Sequence, residues 1–179
     1  SEQFIDNYLA VAKSGGRWKE FEDLTTKIFE ELGFRVLPHL PAKRGEEIDG
    51  LLVDVSGGTC GIFECKSGEE YSLTPKDRDL MIATYLHNFK SYSTLDGTFK
   101  LAFFVYVIGG KFRGESNLRE IMVKAGVEDS AIQARQLLLI LDLHRKKKIA
   151  LPALEKLFSS GTLLKDTHII RALGADYSL

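Results

Sequence analysis

The segment from Lys100 to Ile108, reading Lys-Leu-Ala-Phe-Phe-Val-Tyr-Val-Ile, constrains the fold more than any other stretch of the chain. A half-exposed strand alternates apolar with polar residues, whereas this run is apolar throughout and rich in aromatic and β-branched side chains. It reads as a central strand covered on both faces. It is far too short to span a bilayer, which takes about 20 apolar residues. Helical periodicity around it supplies the covering layers. The pattern predicts helices over Phe4–Ala12, Trp18–Leu32, Pro75–Phe89, Ser116–Lys124, Pro152–Phe158 and Asp166–Leu173. Short strands are expected at Phe34–Leu37, Ile48–Ser56 and Thr59–Ser67. Gln136–Leu141 fits either a last buried strand or the middle of a helix, and the strand is preferred. Helices interspersed with a few strands give an α/β class with a central mixed β-sheet flanked by helices.

Two of these strands carry the chemistry. Glu47-Ile48-Asp49-Gly50 and Gly61-Ile62-Phe63-Glu64-Cys65-Lys66-Ser67 flank a Gly57-Gly58 turn and read as one hairpin. Residues two apart on a strand project to the same face, about 7 Å along the chain. Glu64 and Lys66 are therefore neighbours, while Phe63 and Cys65 point the other way. With the right register Asp49 sits beside Glu64, so two carboxylates and an ammonium converge. Magnesium is usually held by one or two carboxylates plus a substrate phosphate. Asp49 and Glu64 supply that pair, and the backbone carbonyl of Cys65 adds a third oxygen. Lys66 then orients the attacking water or stabilises charge in the transition state. The bland alternative is an exposed strand with an ion pair.

The helix Trp18–Leu32, closed by Gly33, carries its apolar stripe on Trp18, Phe21, Leu24, Ile28, Phe29 and Leu32. At about 100° per residue, Glu22 falls about 20° from Phe29 and about 40° from Trp18, at the margin of the buried face. An acid there needs a partner, which Lys66 or a metal's water shell would provide. The alternative is a rim glutamate that reaches out to solvent. Trp18 itself reads as core.

The chain has 179 residues, ordinary for one domain, with 44% hydrophobic and 27% charged residues. Twenty-four Lys and Arg against 25 Asp and Glu leave a net charge of −1, which argues against a dedicated high-affinity nucleic-acid binder. A cleavage module whose recognition is done elsewhere remains compatible. Lys43, Arg44, Lys111 and Arg113 lie in loops near the expected site and are the candidates for DNA contact. The run His144-Arg145-Lys146-Lys147-Lys148 reads equally as a phosphate-binding patch or a solvated helix face. His39 is a loop residue. The histidines lack zinc-site spacing with Cys60 and Cys65, and two cysteines five apart on one strand do not form a disulfide. Neither a signal peptide nor a membrane segment is visible, and an intracellular location is expected.

The helix ending in Leu32-Gly33-Phe34, then Asp49, then Glu64-Cys65-Lys66, resembles the PD-(D/E)xK nuclease superfamily, with Ile48 where that name has proline. Tyr71-Ser72-Leu73, the strand Phe103–Ile108 running into Gly110-Lys111-Phe112-Arg113-Gly114, and Gly161-Thr162-Leu163 are similar to the cleavage domain of type IIS restriction endonucleases. The resemblance implies a restriction-endonuclease-like fold and an Mg2+-dependent DNA endonuclease, with Mn2+ able to substitute. It implies Asp49 and Glu64 as metal ligands, Lys66 as the catalytic lysine, and Glu22 as a helix acid acting through water or a second ion. It further implies one cleavage domain over residues 1–179, excised from a larger prokaryotic protein with a separate DNA-recognition domain. That domain would cut double-stranded DNA as a transient homodimer. Pro75–Phe89 would be the pairing helix and Asp79 a contact, although Ala83 and Thr84 stand where the family has an arginine. The alternatives are a resolvase-like structure-specific nuclease and a catalytically silent dimerisation module.

Overall fold

The computed structural model describes residues 1–174, with Arg44 described by its backbone alone. Helix α1 spans Glu2–Lys13 and α2 spans Trp18–Glu31. Strands β1 (Arg35–Pro41), β2 (Glu47–Asp54) and β3 (Thr59–Lys66) form an antiparallel meander. Short β4 (Glu70–Ser72) leads into α3 (Pro75–Leu80), which continues through one π-helical stretch over Met81–Leu86. Strand β5 (Ser91–Thr94) turns back onto the start of β6 (Gly97–Ile108), and β7 (Lys111–Arg113) pairs with β4 as a separate two-stranded sheet. Helix α4 (Glu115–Ala125), β8 (Glu128–Gln133), α5 (Ala134–Lys146), α6 (Leu151–Phe158), β9 (Leu163–Leu164) and α7 (Asp166–Leu173) complete the fold.

The main sheet runs β1-β2-β3-β6-β8-β9, with β3, β6, β8 and β9 parallel and β5 on the extension of β6. Strand β6 is central, as its composition requires. Phe103, Val105 and Val107 pack into one core with α1, α2, α5 and α6, and Phe104, Tyr106 and Ile108 into the other with α3 and α4. Both faces of the strand are sealed, so apolar residues at every position are satisfied by burial. The mixed α/β class read from the sequence is the observed one.

Four local expectations are corrected. Gln136–Leu141 is the middle of α5, not a strand: Leu137, Leu138, Ile140 and Leu141 are all buried, so the helix shows no polar face at those positions. The last long strand is instead Glu128–Gln133, where Asp129 and Ser130 are buried polar residues and only Ala131 and Ile132 are apolar. Pro38 does not end β1 but lies within it, paired with Gly50; β1 is an edge strand, where a missing N–H costs no ladder bond. Trp18 is 52% exposed at the start of α2 rather than core.

Gly50 is dictated by contact. A side chain there would collide with the ring of Phe63, which lies directly across the ladder and packs on Phe29 with ring centroids 5.0 Å apart. The glycine thus lets the aromatic core close immediately beside the residues of the candidate site.

Candidate active site

The β2–β3 ladder stops short of the strand ends. Gly50 pairs with Phe63, and the next pair in register would be Asp49 with Glu64. There the two side chains take over the hydrogen bonding. The Asp49 amide donates to Glu64 Oε1 at 2.9 Å, and the Cys65 amide donates to Asp49 Oδ2 at 2.7 Å. Bonds of this charge-assisted type contribute about 1.5–3 kcal/mol each. They fix both carboxylates side by side and leave one oxygen of each without an amide donor.

The second helix brings a third acid. Glu22, 8% exposed, hydrogen-bonds Asp49 through its side chain. Burial raises the Glu22 pKa to about 8, and the charge of Asp49 adds to the effect. Glu64, 4% exposed, is raised well above the carboxylate range by burial and by Asp49, against the pull of Lys66 and of the Asp49 amide. Asp49 is raised by burial, opposed by the Cys65 amide, Lys66, the Glu22 contact and His39. Three carboxyls thus share a site that opposes full ionisation. A cation at this point would reverse that balance.

Lys66, next along the face from Glu64, is half-buried with its Nζ 5.4 Å from the centroid of the Tyr71 ring. The ring belongs to an aromatic wall in which Tyr71 packs on Tyr106 and Phe112, and its hydroxyl donates to Asp77 at 3.1 Å. Among the described residues the ammonium makes no ion pair, so its donors are available. Cys65 faces away, on the side of Thr25, whose hydroxyl meets that of Tyr8 at 2.8 Å, and burial raises the thiol pKa. It is not placed to act as a nucleophile.

Glu22, Asp49, Glu64 and Lys66 are therefore brought together. The loop cations divide. Lys43 is exposed in a 3-10 turn just before β2, and the Arg44 side chain lies outside the described residues. Lys111 is exposed after β6, whereas Arg113 is ion-paired with Glu70 across the β4–β7 sheet. In the basic run at the end of α5, Arg145 forms a two-pronged pair with Glu31 at 2.7 and 2.8 Å, and Lys146 pairs with Asp142. These favour the helix-face reading.

Sequence reasoning placed His39 in a loop and gave it little weight. The residue lies in β1 with φ 53°, the one non-glycine positive φ among the described residues, and its Nδ1 stands 3.3 Å from Glu47 and 3.9 Å from Glu22. Tyr71 and Tyr85, whose hydroxyl reaches Glu46, were likewise missed as walls of the site. No periodicity marks them.

Among the described residues no three His, Cys, Asp or Glu side chains form a ready-made metal cage. Magnesium does not need one, because it keeps several waters and takes further oxygens from a phosphate. The donor set fits: hard carboxylate oxygens, two of them oriented by backbone amides, in a cluster whose charge is under-compensated.

The family described as the FokI cleavage domain matches residues 1–165 of this chain. The structure also resembles that of restriction endonuclease FokI, with a TM-score of 0.72 and 18% identity over 88% of this chain and 30% of that one. The likeness to FokI bound to DNA has a TM-score of 0.75 with 16% identity, over 90% of this chain and 30% of that one. The matched region thus spans about 30% of the length of those endonucleases. No curated protein matches the sequence. Among the described residues no helix is long and apolar enough to cross a membrane.

Proposed function

The chain belongs to the FokI cleavage-domain family, a family of DNA endonuclease domains, and we propose that it is the Mg2+-dependent cutting module of a type IIS restriction enzyme. It hydrolyses phosphodiester bonds of double-stranded DNA, with Mn2+ able to replace Mg2+. The observation that carries this reading is the interlock of Asp49 and Glu64 at the end of the β2–β3 ladder, with Glu22 and Lys66 against it.

Asp49 and Glu64 would hold the ion through the oxygens that no amide occupies, with the Cys65 carbonyl as a third donor. Glu22, already bonded to Asp49, would hold a water or a second ion. The chemistry Mg2+ supplies when bound is polarisation of the scissile phosphate and easier deprotonation of the attacking water. Lys66 stabilises negative charge that grows on the phosphate oxygens, because its donors are unpaired and Tyr71 supports its position. Glu22, held protonated near neutral pH in the metal-free chain by burial and by Asp49, would give up that proton when the ion binds.

Residues 1–179 would form a single cleavage domain, with sequence recognition in a separate domain and a transient homodimer for double-strand cuts. Asp79, exposed on α3 and paired with Arg78, remains the candidate contact for pairing. The test is cleavage of supercoiled plasmid with Mg2+, with and without EDTA, comparing wild type with Lys66→Ala. Metal-dependent nicking that the substitution abolishes supports the reading. Absence of cleavage by the wild type at high concentration, with Mn2+ also tried, rejects it for this chain alone.

A further inference from the structure

Beside the carboxylate cluster, the C-terminal ends of β3, β6 and β8 open into a groove of about 480 Å³. In open α/β sheets the carboxyl ends of parallel strands are where ligands collect. The groove is lined by Lys13 from the end of α1, Glu69 beyond β3, Gly109, Gly110 and Lys111 beyond β6, and Arg135 in the first turn of α5.

Main-chain bonds build its walls. The Gly68 amide donates to Ala12 O at 2.9 Å, and the Gly109 amide to Lys66 O at 2.9 Å. The Lys111 amide donates to Glu69 O at 2.8 Å, and the Gln133 side-chain amide to Gly110 O at 2.7 Å. A Cβ on Gly109 would strike the Ala12 carbonyl, and one on Gly110 the Glu69 carbonyl, so three segments meet backbone to backbone. The floor is rigid, and only the long basic side chains are free to adjust.

The charge is unbalanced. Lys13, Lys111 and Arg135 are exposed and make no ion pair among the described residues, with Glu69 the single acid in the lining. By contrast, Arg17 pairs with Glu20, Arg113 with Glu70 and Arg145 with Glu31. A chain of net charge −1 that keeps three cations unpaired around one groove has a polyanion as the fitting partner. The groove also adjoins the site, since the carbonyl of Lys66 itself holds Gly109.

We propose that this groove is the track of the DNA backbone beside the cut. Lys13, Lys111 and Arg135 take successive phosphates of the strand leaving the scissile bond, and Glu69 limits how tightly that strand is held. The proposal rests on the endonuclease reading above. It adds two residues, Lys13 and Arg135, that no loop motif in the sequence marked.

The experiment is binding of a short fluorescent duplex to the Lys66→Ala protein by anisotropy across a salt titration, in parallel with plasmid nicking by the otherwise wild-type chain. Each phosphate contact contributes about −0.9 to the slope of log affinity against log salt. Lys13→Ala, Lys111→Ala and Arg135→Ala should each flatten it by about one, the triple variant by about three. Glu69→Gln should tighten binding. Lys100→Ala, about 30 Å away at the start of β6, should change nothing. If the parent binds and the wild type cuts, yet the triple variant keeps the parental slope, the groove is not the track and the endonuclease reading stands. If neither binding nor cutting is seen for the parent proteins, both fall together. An acidic peptide that competes with the duplex only when the three cations are present would place a protein partner there instead, overturning the DNA assignment.

Discussion

Asp49 and Glu64 exchange their ladder bonds for side-chain bonds: the Asp49 amide binds Glu64 Oε1 at 2.9 Å, while Asp49 Oδ2 takes the Cys65 amide at 2.7 Å. The same contacts that shape the strand end therefore aim the carboxylates. Asp49→Asn keeps an oxygen for the Cys65 amide but loses the charge, so the fold should survive. Calorimetry with Mg2+ or Mn2+ should show affinity reduced at least about 10-fold, taking the cost of a lost second-shell partner as the floor. Cleavage should fall with it. Unchanged metal affinity in a folded Asp49→Asn protein would remove Asp49 from the ligand set.

Lys66 stands against Tyr71 and not against a carboxylate. Lys66→Ala should lower turnover by about 100- to 1000-fold, the usual cost of losing one donor to a developing oxyanion, with DNA affinity little changed. Tyr71→Leu keeps bulk but removes the ring face and the hydroxyl bonded to Asp77. Since a cation over an exposed aromatic ring contributes about 0.5–1 kcal/mol, turnover should drop only a few-fold. A Tyr71→Leu defect as deep as that of Lys66→Ala would mean that Tyr71 itself touches the substrate.

How much of this was legible follows from what kind of signal each residue leaves. The central strand could be read because Leu101–Ile108 is buried on both faces, and its composition alone says so. Glu22 could be singled out because helical geometry sets it at the edge of a stripe. Asp49, Glu64 and Lys66 followed from strand parity plus a glycine turn. Strand β8 could not be found, since a six-residue segment with Asp129 and Ser130 buried is held by pairing with Phe103–Ile108 and not by its own pattern. The Gln136–Leu141 stretch of α5 shows no helical signature of its own, because nearly all of it is buried and the exposed Arg135 and Asp142 lie just outside it. The groove is invisible for another reason: Lys13, Lys111 and Arg135 are far apart in sequence and meet only where three strand ends converge.

His39 carries a different kind of information, because a β-branched or bulky residue at φ 53° costs about 1–2 kcal/mol and glycine or asparagine costs little. The turn places the imidazole against Glu47 and Glu22. His39→Asn accepts the backbone and removes the ring, so melting temperature should hold while cleavage falls about 10-fold through a less ordered Glu22. His39→Val should lose both. Full activity in a folded His39→Asn protein would reduce the histidine to a backbone device.

The site also predicts a metal-linked pH response. Glu22 has its folded pKa raised from the usual carboxylate value of 4.5 to about 8. A raised folded pKa contributes stability fully present below about 4.5 and lost as pH rises through 8. The metal-free protein should therefore melt at lower temperature at pH 9 than at pH 6. Mg2+ should restore more at pH 9 than at pH 6, because it binds the deprotonated cluster. Glu22→Gln should flatten the metal-free pH dependence. Melts of wild type and Glu22→Gln at both pH values, with and without Mg2+, check each part.

Asp129 allows a prediction free of the active site. It is fully buried in β8 with neither carboxyl oxygen hydrogen-bonded among the described residues, and burial raises its pKa to about 7, with Glu128 adding. The acid is therefore neutral in the folded chain at mildly acidic pH. Its contribution is fully present below its unfolded value of 3.8 and lost as pH rises through 7, by up to about 4 kcal/mol at 1.36 kcal/mol per unit. Asp129→Asn has nearly the same shape and no charge to bury, so it should raise stability most above pH 7, by a smaller margin near pH 5, and change little only below the unfolded value of 3.8. Denaturant unfolding at pH 5 and pH 8 measures this directly. A wild-type protein equally stable at both, with Asp129→Asn no better at pH 8, would mean that the carboxylate finds a partner in solution.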